Sequence, residues 1–337
     1  MQKKVFFQDI AIMRPILIMS IVLGHAFTIY TRSNSWPLPL GCSDNVLLSW
    51  INPTFISFAL QAFVFVSGYL FAHKSQTEFD RVSFLASKLK RIYLPSIVFS
   101  VLYVLVFTPE NFKTLGVINE ILSGTGHLWF LPMLFWCNII ADFLPARFRK
   151  FSVWVSFLFL IVSYASFAVP NFLRISNALH YFIYFLLGIW IYTYKENIKD
   201  YLNLNKWILP LSWSMILMLL VLNVYLHNSE YTSVYCTVLK VSVNILLGVI
   251  GSLSLFFTMN KILDRYKTLR DINTRNHLWY GMYIYHQFIL MYLYYHTPLP
   301  LYLGNFSPLI ALPITVVLSC LLVILTLKTR PGKWMIG

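Results

Sequence analysis

Acid is what this chain most lacks. Only 12 of its 337 residues are Asp or Glu, and charged residues of both signs reach just 11%, against about 25% in an ordinary soluble domain. So little charge cannot cover a surface that faces water on all sides, which excludes a soluble globular fold. Cysteine is scarce too. Cys42, Cys137, Cys236 and Cys320 stand far apart, with no C-x-x-C pair and no histidine at ligand spacing. That removes disulfide scaffolds and zinc modules, and leaves the three cysteines in or next to apolar segments as small packing residues. No Walker-type loop, dinucleotide fingerprint or metal-ligand spacing occurs, so neither a metal nor a resident cofactor is expected. No cleavable leader is expected: the first apolar run is too long and has no A-x-A site, and reads as a retained first span.

What the chain has instead is apolar surface. Hydrophobic residues make up 58% and aromatics 18%. A bilayer core takes about 20 helical residues, and on that scale ten spans fall at roughly 8–30, 51–72, 92–108, 127–144, 152–169, 179–194, 207–226, 236–259, 278–295 and 307–327. The fold class expected is therefore all-α, a polytopic membrane protein of about ten transmembrane helices. Pro15, Pro132 and Pro313 are the expected kinks. No loop is long enough for a globular domain, and no repeat is evident. Residues 1–337 are expected to form one integral membrane domain with no fused soluble domain.

The net charge of +14 raises nucleic acid as a partner, but the placement of the charge answers otherwise. With the N-terminus inside, twenty-one of the 26 basic residues fall on the inner side: Lys3 and Lys4, then those within 74–91, 147–150, 195–206, 261–275 and 328–333. Only Arg32, Lys113 and Arg174 fall outside. This is the positive-inside asymmetry of a membrane protein. It predicts cytoplasmic N- and C-termini, contact with membrane lipid and no nucleic acid.

Two basic side chains interrupt the first span, in "MRPILIMSIVLGHAF". Arginine at the centre of a membrane helix costs roughly 2.5 to 3.5 kcal/mol on insertion scales. Arg14 and His25 are separated by 11 residues, about three full turns, so both point to one side of the helix, roughly 16 Å apart. Taken singly, Arg14 reads as a snorkelling side chain and His25 as a hydrogen-bonded core histidine. Together on one face, they suggest a water-accessible or ligand-filled path along the first helix.

The R-x10-H pattern of Arg14 and His25 resembles acyltransferase family 3, integral membrane proteins that O-acylate sugars. Further stretches resemble that family in its own order. "FALQAFVFVSGYLF" is similar to its second-span pattern, "KLKRIYLP" to its basic R-x-x-R stretch, "GHLWFLPML" to its H-L-W-F-L element and "YGMYIYHQ" to its late Tyr/His element. In the basic stretch Lys88 stands where the family has its first arginine, and Arg91 keeps the second. Lysine preserves the charge but not the planar fork.

The resemblance implies a membrane-bound acyltransferase. It would move an acyl group, acetyl first of all, from cytoplasmic acyl-CoA as co-substrate to a sugar hydroxyl of a surface polysaccharide or lipid-linked glycan. It implies the bacterial inner membrane as location and polysaccharide-assembly proteins as partners. His25 would then be the catalytic base, because imidazole titrates near working pH; an acyl-histidine intermediate is the less favoured route. Arg14, Lys88, Lys90 and Arg91 would hold the anionic donor. His127, Trp129, His286 and Tyr283 are candidate tunnel or acceptor contacts, each set against plain packing or interfacial anchoring. The reading from another class is a permease or exporter that uses the buried Arg and His as a path. Transporters usually show two similar halves with broken helices, and none are evident here.

Overall fold

Backbone amides find no water in hydrocarbon and must be satisfied within the segment itself. In the computed structural model, which describes residues 7–31, 37–76, 80–114, 116–228, 233–266 and 276–336, every regular element among the described residues is helical. In chain order these begin with α1 (Gln8–Ala26), α2 (Val46–Ile56), α3 (Ala59–Ser75), α4 (Arg81–Lys88), α5 (Leu94–Phe107), α6 (Gly116–Ser123), α7 (Phe130–Phe143) and α8 (Ala146–Arg149). They continue with α9 (Val153–Ala165), α10 (Ile175–Leu204), α11 (Ile208–Asn228), α12 (Val234–Arg265), α13 (Asn276–Tyr295), α14 (Leu299–Leu303), α15 (Ser307–Lys328) and α16 (Arg330–Ile336). Of the basic residues counted toward topology, Lys3, Lys4, Arg32, Lys267, Arg270 and Arg275 lie outside the described residues.

Seven of the ten expected spans fall in helical stretches long and apolar enough to cross a membrane: Gln8–Ala26, Val46–Ser75, Arg81–Phe107, Phe172–Leu204, Ile208–His227, Val234–Arg265 and Leu299–Lys328. The other three fall on α7, α9 and α13, for physical reasons that differ. Helices α7 and α9 are only 14 and 13 residues long. Helix α13 has 20 residues, but six tyrosines and two histidines lower its apolar character. Pro15 and Pro313 sit inside α1 and α15. Pro132 lies instead in the first turn of α7, where its missing N–H interrupts no bond of the helix.

The chain divides into two compact units, one of Met1–Phe63 with Asn197–Ile324, the other of Val64–Glu196 with Leu325–Gly337. In the first, α1 packs against α2, α12 and α13, and α11 against α12 and α2. The α11–α12 pair closes over Ile216, Leu219, Leu226, Val243 and Leu247. Polar ties add to this apolar seam, from Trp213 Nε1 to Thr258 Oγ1 at 3.0 Å and from Ser254 to Ser212 at 2.8 Å. At the end of α1, Ala26, Phe27, Ile29 and Tyr30 cluster with Leu290, Tyr294 and Ala311.

The second unit is organised by a crossing of α3 and α10. A Cβ on Gly68 would lie 1.9 Å from the Phe185 carbonyl oxygen, and one on Gly188 would lie 2.1 Å from that of Phe65. Only a hydrogen side chain allows backbones to approach this closely. Phe65, Phe71, Phe84, Phe182 and Phe185 fill the space around the crossing. Nearby, Arg81 pairs with the buried carboxylate of Asp142, Nε to Oδ2 at 3.1 Å.

Between α4 and α5 the helix does not stop but loosens into a π turn over Leu89–Tyr93. Pro95 follows in the first turn of α5; it has no N–H to offer the preceding turn, and the wider turn absorbs the lost bond. Asp80 caps the start of α4, accepting from the amides of Val82 and Ser83 at 3.2 and 3.1 Å. Hydrogen bonds from the Ser83 hydroxyl and amide hold the Asp80 carboxyl below the usual carboxylate range.

Candidate active site

The last turn of a helix leaves its carbonyls without partners in the same helix. At the end of α1 those carbonyls are claimed by the two neighbouring helices. Gly24 O accepts from Asn52 Nδ2 of α2 at 2.9 Å, and the same amide reaches Thr28 Oγ1 at 2.7 Å. Ala26 O accepts from the Tyr294 hydroxyl of α13 at 2.6 Å. A Cβ on Gly24 would lie 2.6 Å from the Ile56 side chain, so glycine lets α2 come in close. His25 sits inside this clamp, and its backbone is fixed on both sides.

The side chain of His25 is fixed as well. Its Nδ1 lies 2.7 Å from Nε2 of His286 on α13. The two rings are within 4° of one plane, with centroids 5.0 Å apart. Two ring radii plus the short nitrogen–nitrogen distance account for that separation, so the rings meet edge to edge rather than face to face. The bond is therefore nearly in line, which is its strongest geometry. On its far side His286 donates from Nδ1 to the Tyr283 carbonyl at 2.7 Å, with the Met282 carbonyl at 3.1 Å. His286 is completely buried, whereas His25 keeps part of its surface open. A fully buried histidine backs a partly buried one.

The family model of the acyltransferase domain matches residues 7–328, which takes in every helix from α1 to α15. The chain belongs to acyltransferase family 3. No curated protein and no solved structure matches it. Acyl transfer needs a group that takes a proton from the attacking nucleophile, and a histidine oriented by a hydrogen bond at one ring nitrogen has the form of such a group.

In this acyltransferase the expected site residues fall in both units. Arg14, His25, Tyr283 and His286 belong to the first, and Lys88, Lys90, Arg91, His127 and Trp129 to the second. The fold brings His25 and His286 together. Tyr283 joins them through its backbone carbonyl, while its ring stands 5.9 Å from that of His286, centre to centre. Arg14 is half-buried in α1, and among the described residues no hydrogen bond or ion pair holds its guanidinium. A charge in that position is left for a ligand anion or water to satisfy.

In the second unit Lys90 and Arg91 leave the π turn together and line a cavity of about 520 Å³ with Ser83, Ser87, Lys333 and Trp334. Lys88 turns elsewhere, its Nζ 5.2 Å from the centre of the Phe84 ring. His127 is buried in the short 3-10 turn before α7. Trp129 rests on Tyr181, ring centres 5.9 Å apart. Sequence reasoning missed four contributors: Asn52 and Tyr294, which clamp the end of α1, and Lys333 and Trp334, which α16 adds to the basic cavity. The charge run at the C-terminus was a visible signal for Lys333. Nothing in the linear pattern marks Asn52.

Proposed function

We propose that this acyltransferase moves an acyl group, acetyl in the simplest case, from acyl-CoA on the cytoplasmic side to a sugar hydroxyl of a surface polysaccharide or lipid-linked glycan. The observation that carries the reading is the His25–His286 contact: a partly open histidine, held by a buried one, at the end of a helix whose same face bears Arg14. In this scheme His25 takes the proton of the acceptor hydroxyl as its oxygen attacks the thioester carbon. Arg14 meets an anionic part of the donor, and Lys90 and Arg91, with Lys88 near them in sequence, meet its phosphates through charge-assisted hydrogen bonds. His127 and Trp129 are the candidate acceptor contacts; an indole face suits a sugar ring.

The same proposal sets the chain in a bacterial inner membrane with cytoplasmic termini. Ten spans then result if α7, α9 and α13 cross along with the seven apolar stretches. Proteins of polysaccharide assembly would supply the acceptor.

The test is thiol release from acetyl-CoA by the purified protein in lipid nanodiscs, with and without p-nitrophenyl hexosides as acceptors. The wild-type protein is expected to release thiol in step with ester formation, and His25→Ala to lose about 10²- to 10⁴-fold, the usual worth of a general base. A His25→Ala protein that acylates at close to the wild-type rate would overturn the assignment.

A further inference from the structure

The protons on the two histidines can be placed from their partners. A carbonyl oxygen only accepts, so the nitrogen of His286 that faces Tyr283 O at 2.7 Å carries a hydrogen. In a neutral imidazole the other nitrogen then bears the lone pair. That other nitrogen, Nε2, is the one facing His25 Nδ1 at 2.7 Å. The hydrogen between the rings therefore belongs to His25, on Nδ1. It follows that Nε2 of His25 holds the lone pair.

We infer that His286 is a positioning residue, which locks His25 in the Nδ1–H tautomer and so makes His25 Nε2 the base of the transfer. This rests on the acyl-transfer reading above. The chain of bonds runs from the Tyr283 carbonyl through His286 to His25, and it places a neutral imidazole where a catalytic triad places a carboxylate. A neutral partner is the economical choice inside a membrane helix pair, since it orients the base without burying an anion.

The step balances without another reagent. Nε2 accepts the hydroxyl proton as the acceptor oxygen bonds to the acyl carbon. The carbon–sulfur bond then breaks with its electron pair on sulfur, and the proton passes from Nε2 to the thiolate. Ester and free thiol leave, and both histidines end as they began.

Two substitutions separate orientation from mere packing. Glutamine carries its amide about as far from the backbone as histidine carries Nε2, so His286→Gln can still present an acceptor to His25. Asparagine carries its amide where histidine carries Nδ1, so His286→Asn keeps the link to the Tyr283 carbonyl and loses the one to His25. With acetyl-CoA and p-nitrophenyl hexosides, His286→Asn is expected to lose about 10²- to 10⁴-fold in kcat, as when a base is held in the wrong tautomer. His286→Gln should lose less than about tenfold and keep the wild-type pH profile. Thermal unfolding of the two variants should be alike. If Asn matches Gln, the inference fails.

Nitrogen NMR of 15N-histidine protein in nanodiscs gives a readout that needs no turnover. The His25 signals, identified by their loss in His25→Ala, should show a protonated Nδ1 and a bare Nε2. A proton on Nε2 instead would overturn the assignment. A wild-type protein that shows this tautomer but consumes no acetyl-CoA would count against acyl transfer, and leave the histidine geometry standing.

Discussion

Helix α1 and α15 as far as Ile324 both belong to the first unit, yet they meet their surroundings in opposite ways. The stretch containing α15 is the most apolar of the seven candidate spans, and only 22% of its most apolar window is buried; for α1, the figure is 56%. Helix α15 buries Pro308 in its first turn and, along the rest of its length, a narrow stripe of Ser307, Ala311, Thr315, Ser319 and Val323. Val317, Leu318, Leu321 and Leu325 are exposed, a face that suits lipid in a candidate span. Helix α1 is the more enclosed, and it is α1 that carries the arginine, the histidine and the close-packed glycine. Apolar composition thus records contact with lipid, whereas burial against protein permits polar groups, because neighbours can bond them.

Exchanging the character of the two helices should give the largest effects, with opposite signs. Val317→Arg puts a cation on the lipid face of α15 and should cost about 2.5 to 3.5 kcal/mol, seen as lost insertion and yield. Arg14→Leu removes one from α1 and should raise thermal stability in detergent by about 1 to 2 kcal/mol while weakening coenzyme A binding by calorimetry, the exchange of stability for function common at active sites. If Arg14→Leu instead destabilises, Arg14 is a structural residue.

A smaller effect should come from steric crowding. Gly24→Val forces Ile56 aside in the α1–α2 contact and should cost about 1 to 3 kcal/mol, together with much of the activity, because His25 is the next residue. Val317→Ala on the lipid face should stay within about 0.5 kcal/mol. Equal losses in the two would erase the distinction between the helices.

At the α1 end itself, a milder change than Gly24→Val is Tyr294→Phe. It deletes one hydroxyl and leaves the Ala26 carbonyl without that donor. About 0.5 to 1.5 kcal/mol is expected from the thermal midpoint, with a loss of activity of a few fold as the end of α1 loosens. An unchanged rate would mean that Asn52 alone suffices to hold His25.

Much of this was legible in the sequence where a local pattern determines the outcome. Apolar runs of span length marked the seven candidate membrane stretches, and helical periodicity put Arg14 and His25 on one face. Other features depend on partners distant in the chain. The contact of His25 with His286 joins positions on two different helices, and no spacing rule predicts it. Tyr283 matters there through its carbonyl, so its side-chain chemistry gave no guide. Lys88 and Arg91 are neighbours on an ideal helix, but the π turn caused by Pro95 shifts their register, and Lys88 turns toward Phe84. The second span also begins earlier than its apolar run, at the Asn45 cap, whose side chain accepts from the amide of Leu48.

The crossing of α3 and α10 has a symmetry of its own. Both helices carry F-x-x-G, in Phe65–Gly68 and Phe185–Gly188, and each glycine faces the carbonyl of the other helix's phenylalanine. The two tetrapeptides form a self-complementary joint, in which each half is the mould of the other. Enlarging either glycine pushes the backbones apart for both, so the first replacement does most of the damage and the second adds little. Along any mutational path the pair therefore behaves as one inherited unit, and neither half can drift while the other stays fixed.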